Sequence, residues 1–230
     1  MNNLINDKVN FFSYLRPKKN SSKPFIITSP HSGVLLNKNL LNKRNKNIYD
    51  YDSMQDMYVN SFSEGLEKLG FTVFQSHISR IVIDLNREIT EIDPKTIVGF
   101  PANNMINLSD KVKSGIGLIP MKNSSGRNIY TTKLDWQEVL QRIDNYYLPW
   151  HNNLRLEIED FTKRYGRVFV IDMHSMPSET NSNELADFVI GNNFDRASDN
   201  HSKKLLSNTI KSYGYSCLLY TSPSPRDRIR

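Results

Sequence analysis

The stretch KPFIITSPHSG, residues 23–33, decides the fold class of this chain. A short apolar run with β-branched residues ends at Pro30, and this composition is typical of a buried strand. The stretch VFVIDMHS, residues 168–175, has the same composition and follows a long helical pattern. Because buried strands that alternate with helices are typical of α/β folds, we predict a three-layer α/β/α sandwich with a mixed, largely parallel sheet.

The rest of the sequence supplies the helices and further strands of this sandwich. Apolar residues recur at helical spacing in several segments, and short β-branched runs separate them. We expect Pro149 to kink or split the longest helical region, because proline lacks a backbone N–H. The predicted helices are 52–68, 134–165 and 200–213, and the predicted strands are 23–29, 71–75, 80–85, 168–173 and 187–191.

Three of the predicted strands end in polar residues of the kind that form catalytic sites. His31 follows the first strand, Asn86 and Arg87 follow the strand 80–85, and His174 follows the strand 168–173. In open α/β sheets, ligands bind at the carboxyl ends of the strands. We therefore predict that these residues contribute to one functional site.

Two histidines and a carboxylate could hold a zinc ion and leave one coordination position open for water. The histidines are His31 and His174, and the nearest carboxylates in sequence are Asp50 and Asp52. We favour Asp52 as the third ligand, because it directly precedes a predicted helix that would fix its position. Without a metal, Asp52 is more simply a helix N-cap, and an isolated loop histidine is usually not a ligand.

Two arginines near the predicted site could recognise an acidic substrate. Arg87, beside Asn86, can bind a carboxylate with paired hydrogen bonds, because the guanidinium group is a planar fork. Arg80 is a candidate to stabilise a developing oxyanion, and its alternative is a surface arginine at a strand edge. Asp84 is a candidate to orient Arg87 or to cap a turn, and Asp172 to orient a ligand histidine.

The bulk properties argue against several other classes of protein. The 230 residues carry a formal net charge of +6, but the basic residues are scattered and do not alternate with stacking aromatics, so nucleic-acid binding is disfavoured. No apolar run reaches the roughly 20 residues that cross a membrane. Cys217 is the single cysteine, which excludes an internal disulfide. We predict a cytoplasmic protein whose oligomeric state the sequence leaves open.

The end of the sequence, CLLYTSPSPRDRIR at 217–230, differs in composition from the Lys/Asn-rich part before it. It is similar to translated vector or adaptor sequence, and a natural disordered tail is the alternative. We therefore expect one domain over residues 1–216, incomplete at its C-terminal side, and a non-native tail over 217–230.

Several motifs resemble the N-formylglutamate amidohydrolase family in both order and spacing, over roughly Pro24 to Gly214. Each motif is short, so the order carries the resemblance. The motifs are SPHSG at 29–33, SRIVIDLNRE at 79–88, GIGLIP at 115–120, IY at 129–130, LPWH at 148–151, VIDMHSMPS at 170–178 and DFVIG at 187–191.

The resemblance implies a phosphorylase/hydrolase-like fold related to the zinc carboxypeptidases. It implies that His31 and His174 bind zinc and that Asn86 and Arg87 bind the substrate carboxylate. This sequence departs from the expected patterns at two points. Val34 stands where the carboxypeptidases have a glutamate ligand, and the late glutamate that the family uses as its base is not matched in this chain.

The resemblance further implies a small-molecule substrate, with N-formyl-L-glutamate cleaved to formate and L-glutamate, and neither a nucleic acid nor a membrane as partner. A related zinc peptidase or amidase that acts on peptide or cell-wall substrates is the first alternative. An inactive, truncated binding protein is the second.

Overall fold

The computed structural model describes residues 11–45, 54–176, 186–193 and 196–220. The chain divides into two compact units, Met1–Ser175 and Met176–Arg230. Every residue predicted from sequence to act at the site belongs to the first unit.

The first unit contains a four-stranded sheet in the order β1-β3-β2-β6. β2 pairs in parallel with both β3 and β6, and β1 pairs antiparallel with β3. The α/β class with a mixed, largely parallel sheet is therefore confirmed. The strands of the first unit are β1 (Phe12–Leu15), β2 (Phe25–Ser29), β3 (Thr72–Ser76), β4 (Ile97–Val98), β5 (Leu134–Asp135) and β6 (Phe169–Asp172). Its helices are α1 (Lys38–Lys43), α2 (Val59–Ser63), α3 (Asp110–Lys113), α4 (Trp136–Arg142) and α5 (Leu148–Tyr165).

Helices lie on both faces of this sheet, as alternate side chains of β3 demonstrate. Thr72 donates from Oγ1 to Oε1 of Glu157 on α5, at 2.9 Å, and Phe74 packs edge-on against Trp150 of the same helix. Gln75 points to the opposite face, where its Nε2 donates to Oγ of Ser63 on α2, at 2.7 Å. Because successive strand residues face opposite sides, β3 contacts both helical layers.

The predicted helix over 52–68 is wrong for most of its described part. Only α2 and a short 3₁₀ turn, Leu66–Leu69, are helical, because Tyr58 and Gly65 have left-handed φ angles of 64° and 78°. Apolar residues that suggested a buried face are instead exposed, Tyr58 by 70% and Phe62 by 66%. Helical spacing of apolar residues was therefore misleading here.

The predicted strand over 80–85 is also wrong, although its apolar residues are buried as expected. The segment runs as a series of turns through the core, and long side chains from later in the chain bind its backbone carbonyls. Tyr130 Oη donates to the Ile81 carbonyl at 3.0 Å, and Arg142 Nη1 donates to the Val82 carbonyl at 2.9 Å. These bonds give the buried carbonyls of Ile81 and Val82 the partners that a strand ladder would otherwise supply.

The long helical region is continuous, and its irregularity precedes Pro149. A π-helical turn, Ile143–Tyr147, joins α4 to α5. Pro149 lies just after this turn, and helical geometry continues on both sides of it, so the expected split at proline does not occur.

The second unit contains two parallel strands and one helix. β7 (Phe188–Gly191) pairs with β8 (Cys217–Tyr220), and α6 (Asn200–Ser212) is capped by Asp199, whose side chain accepts from Ser202 N. The predicted strand 187–191 and helix 200–213 are thus confirmed. β8 begins within the tail that we expected to be foreign, and residues 221–230 lie outside the described part. The domain boundary at 216 stays a prediction.

None of the helices in the described part of the chain is long and apolar enough to cross a membrane.

Candidate active site

The position of His31 depends on a close backbone approach two residues further on. His31 follows β2 directly, and Gly33 bridges to Ser79 in parallel. A Cβ atom at position 33 would lie 2.2 Å from the Ile78 carbonyl oxygen and 2.3 Å from the His77 carbonyl carbon. Only glycine therefore fits, and the segment after β2 is pressed against the segment after β3.

This approach predicts the effect of replacing Gly33 by alanine. We expect a loss of stability of about 1–3 kcal/mol, because the backbone must move apart, together with weaker metal binding at His31. Gly126→Ala is the control, since its Cβ would meet no atom within 4 Å and only its positive φ would oppose alanine. Thermal unfolding and zinc titration of both variants make the comparison. Unchanged stability and zinc affinity in Gly33→Ala would contradict the role of this contact.

A buried carboxylate fixes the orientation of the His31 ring. His31 is 3% exposed, and its Nε2 donates to Asp84 Oδ1 at 2.6 Å. Burial opposes ionisation of Asp84, but the positive charge of Arg80 and the bond from His31 outweigh it and hold the Asp84 pKa well below its usual range. Because ionised Asp84 only accepts hydrogen bonds, the His31 proton is drawn to Nε2 and the lone pair to Nδ1.

The Nδ1 atom of His31 is buried and has no hydrogen-bond partner in the described part of the chain. It lies 3.5 Å from Asp56 Oδ2. A buried nitrogen without a partner is costly in an otherwise satisfied core. A histidine that binds a metal needs a ring nitrogen with an available lone pair. The Nδ1 atom of His31, which faces a carboxylate, meets this requirement.

His174, which follows β6, faces the same carboxylate. Its Nδ1 lies 2.7 Å from Asp56 Oδ2, and its Nε2 lies 2.8 Å from Asp172 Oδ2. Partial burial opposes protonation, but the bonds to Asp172 and Asp56 outweigh it and raise the His174 pKa to about 10. Asp172 is itself fixed by Thr28 of β2, whose Oγ1 donates to Oδ1 at 2.6 Å.

His31, Asp56 and His174 together form the cluster that could hold a metal ion. One nitrogen or oxygen from each lies within 4.8 Å of the others, and the two imidazole centroids are 4.9 Å apart. The Asp56 side chain is fully buried, and its backbone N donates to the His31 carbonyl at 3.0 Å. We call these three residues the His–Asp–His cluster.

Asp56 is the residue that sequence reasoning missed. The predicted ligand Asp52 and its alternative Asp50 lie outside the described residues. The helix predicted over 52–68 would contain Asp56, whereas Asp56 lies outside any helix, three residues before α2. The available signal was the repetition of aspartate in the stretch DYDSMQD.

The segment 80–87 brings the other predicted residues to the same place. Arg80 is 8% exposed and donates from Nε to Asp84 Oδ2 at 2.7 Å, so it is not a surface arginine. The Asn86 Nδ2 atom lies 3.1 Å from His174 Nε2, and Asn86 N donates to Asp84 Oδ1 at 2.9 Å. Arg87 Nε lies 3.7 Å from Asp84 Oδ2. Asp84 therefore connects this segment to His31. The sequence predicted only that Asp84 orients Arg87 or caps a turn.

A family model describing N-formylglutamate amidohydrolase matches residues 23–219. The chain belongs to the N-formylglutamate amidohydrolase family. The resemblance predicted from the ordered motifs is thereby confirmed, and membership places the chain among hydrolases that act on an amide.

One solved structure supports both the family assignment and the fold, and a second supports the fold. An N-formylglutamate amidohydrolase from Ralstonia eutropha JMP134 matches with a TM-score of 0.83 at 27% sequence identity, over 92% of this chain and 78% of that chain. A gene product from Agrobacterium tumefaciens matches with a TM-score of 0.57 at 17% identity, over 95% of this chain and 76% of that one, a likeness of fold alone. No curated protein matches the chain in sequence.

Proposed function

We propose that this member of the family is a zinc-dependent hydrolase of N-acyl amino acids, with N-formyl-L-glutamate as substrate and formate and L-glutamate as products. The observation that carries the proposal is the buried, unbonded Nδ1 of His31, directed toward the carboxylate that His174 also contacts. Family membership supplies the amide-hydrolysing chemistry.

The His–Asp–His cluster would hold the metal. Two imidazoles and one carboxylate are a usual donor set for catalytic zinc, and an outer carboxylate orients each imidazole, Asp84 for His31 and Asp172 for His174. Bound zinc would supply a Lewis acid that polarises the scissile carbonyl and lowers the pKa of a coordinated water. The resemblance assigns the role of accepting the water's proton to a late glutamate that is not matched in this chain, so we name no residue for that role.

Arg87 would bind the substrate's carboxylate. Its Nε and Nη1 atoms are each 3.7 Å from a carboxylate oxygen, of Asp84 and Glu91 respectively, which is beyond hydrogen-bonding distance. One fifth of the side chain is exposed. The guanidinium is therefore held in place by nearby negative charge while its donors can still pair with a carboxylate.

Arg80 would assist the reacting carbonyl. Its Nε is committed to Asp84, so its Nη groups are the part that could meet a developing oxyanion. Because Asp84 binds both Arg80 and His31, one buried carboxylate would align the oxyanion donor with the metal.

Replacement of Arg87 by lysine tests the carboxylate assignment. We expect KM for N-formyl-L-glutamate to rise roughly 10- to 100-fold with kcat little changed, because lysine keeps the charge but loses the paired hydrogen bonds. Arg155→Lys is the control, since Arg155 pairs with Glu159 on the exposed face of α5. An unchanged KM in Arg87→Lys would exclude Arg87 from substrate binding.

Turnover of N-formyl-L-glutamate, N-acetyl-L-glutamate and a short peptide by the zinc-loaded chain tests the substrate class. The proposal expects the N-formyl compound to be preferred. Preference for the peptide would indicate the related peptidase instead, and zinc binding without turnover of any substrate would indicate a binding protein.

A further inference from the structure

The segment from Tyr130 to His151 binds the main chain of the site-bearing segment 80–87 at four points. All four bonds run from a side chain to a backbone carbonyl. They are Tyr130 Oη to Ile81 at 3.0 Å, Arg142 Nη1 to Val82 at 2.9 Å, His151 Nε2 to Leu85 at 3.0 Å and Tyr147 Oη to Arg87 at 2.8 Å. The last two are closest to the residues proposed to bind substrate.

Tyr147 and His151 act on the two sides of Asn86. They lie four residues apart on the continuous helix, so both point from the same face, and their ring centroids are 4.1 Å apart. Their bonds fix the carbonyls of Leu85 and Arg87, the residues before and after Asn86. The direction of the Asn86 and Arg87 side chains depends on these two peptide groups.

The helix is irregular where it presents this pair. The π-helical turn Ile143–Tyr147 ends at Tyr147, with Leu148 N donating to the Ile143 carbonyl. Such turns are rare in proteins, and those that occur often lie at functional sites. A regular α-helix would place the residues after Ile143 at different angles around the axis, away from the carbonyls they now reach.

Both side chains carry the hydrogen that they donate to these carbonyls. Burial, together with the charges of Glu88 and Asp84, raises the Tyr147 pKa to about 12, so its hydroxyl keeps its proton. The Leu85 carbonyl can only accept, so His151 Nε2 carries the hydrogen.

We infer that Tyr147 and His151 are positioning residues that clamp the backbone on both sides of Asn86 and so hold Asn86 and Arg87 in their binding geometry. The consequence for substrate rests on the proposed function, whereas the clamp itself concerns only the order of residues 85–87. Neither residue contacts the His–Asp–His cluster through any bond described above.

Tyr147→Phe tests the clamp, because it removes one hydroxyl and keeps the ring. Tyr165→Phe is the matched control: Tyr165 lies at the other end of α5, and its hydroxyl also donates to a backbone carbonyl, that of Ser22, at 2.7 Å. Three quantities are measured for the full chain: hydrogen exchange of the Asn86 and Arg87 amides, L-glutamate affinity of the zinc-loaded protein, and zinc affinity.

In Tyr147→Phe we expect faster exchange at these two amides, both of which are bonded to Asp84, and roughly two- to tenfold weaker L-glutamate binding. Zinc affinity should stay at the wild-type value, and Tyr165→Phe should change none of the three. Unchanged exchange at residues 86–87 in Tyr147→Phe would overturn the clamp, as would equal changes in both variants. If the wild-type protein binds zinc but no L-glutamate, the proposed function fails, and the exchange comparison still decides the clamp.

Discussion

Asp56→Ala is expected to abolish zinc binding and, with it, amide hydrolysis. Asp56 is fully buried and is the only carboxylate in the described part of the chain that forms a cluster with both His31 and His174. Loss of a ligand should weaken zinc by more than the roughly 10- to 100-fold that loss of an outer carboxylate costs. Zinc content after dialysis and zinc titration measure the effect.

Asp52→Ala and Asp50→Ala are the matched controls for this experiment. They remove the two carboxylates that the sequence favoured as third ligand, and both variants should keep one zinc per chain. Asp56→Asn, which preserves volume, separates ligand loss from misfolding, because it should fold while binding zinc poorly. Zinc loss in Asp52→Ala together with zinc retention in Asp56→Ala would return the ligand role to Asp52.

Asp84→Asn is expected to damage both stability and metal binding. Asp84 accepts from His31 Nε2, Arg80 Nε and the Asn86 backbone, and it is completely buried. Removing its charge leaves buried Arg80 without its anion, which should lower the free energy of unfolding by about 3–5 kcal/mol. Because His31 also loses the acceptor that sets its tautomer, zinc affinity should fall roughly 10- to 100-fold.

Asp172→Asn separates these two effects of Asp84→Asn. Asp172 orients His174 from the edge of the site and is 37% exposed, so its replacement should weaken zinc with much less loss of stability. Urea unfolding of the zinc-free proteins and zinc titration give the two quantities. Wild-type stability in Asp84→Asn would show that this carboxylate does not organise the site.

The sequence predicted the parts of the fold in which local pattern and tertiary role agree. β2 and β6 are apolar runs flanked by breakers, and their parallel pairing places His31 and His174 at the same end of the sheet. For this reason the sequence alone predicts that both histidines belong to one site. β1 was not predicted, because its four residues give no clear periodicity.

The irregular backbone of segment 80–85 could not be predicted from the sequence. A buried strand and a buried irregular segment have the same apolar composition, and they differ in where their backbone hydrogen bonds go. Here the donors are Tyr130, Arg142 and His151, which come about 50 to 65 residues later in the chain. No local pattern around 80–85 reports such partners.

Asp56 was missed for a related reason. Apolar residues at helical spacing around it predict a regular helix, whereas the left-handed φ of Tyr58 starts α2 only after Asp56. The bond from Asp56 N to the His31 carbonyl links two segments that are 25 residues apart. This tertiary contact brings Asp56 to the two histidines, whereas the sequence offered only a choice among neighbouring aspartates.

X-ray absorption at the zinc edge of the wild-type chain tests the central claim most directly. We expect one zinc per chain with two imidazole nitrogens and otherwise oxygen ligands, at distances of roughly 2.0–2.2 Å. A chain that binds less than one zinc under saturating conditions, or a spectrum with a single imidazole or with sulfur, would contradict the His–Asp–His cluster as the metal centre.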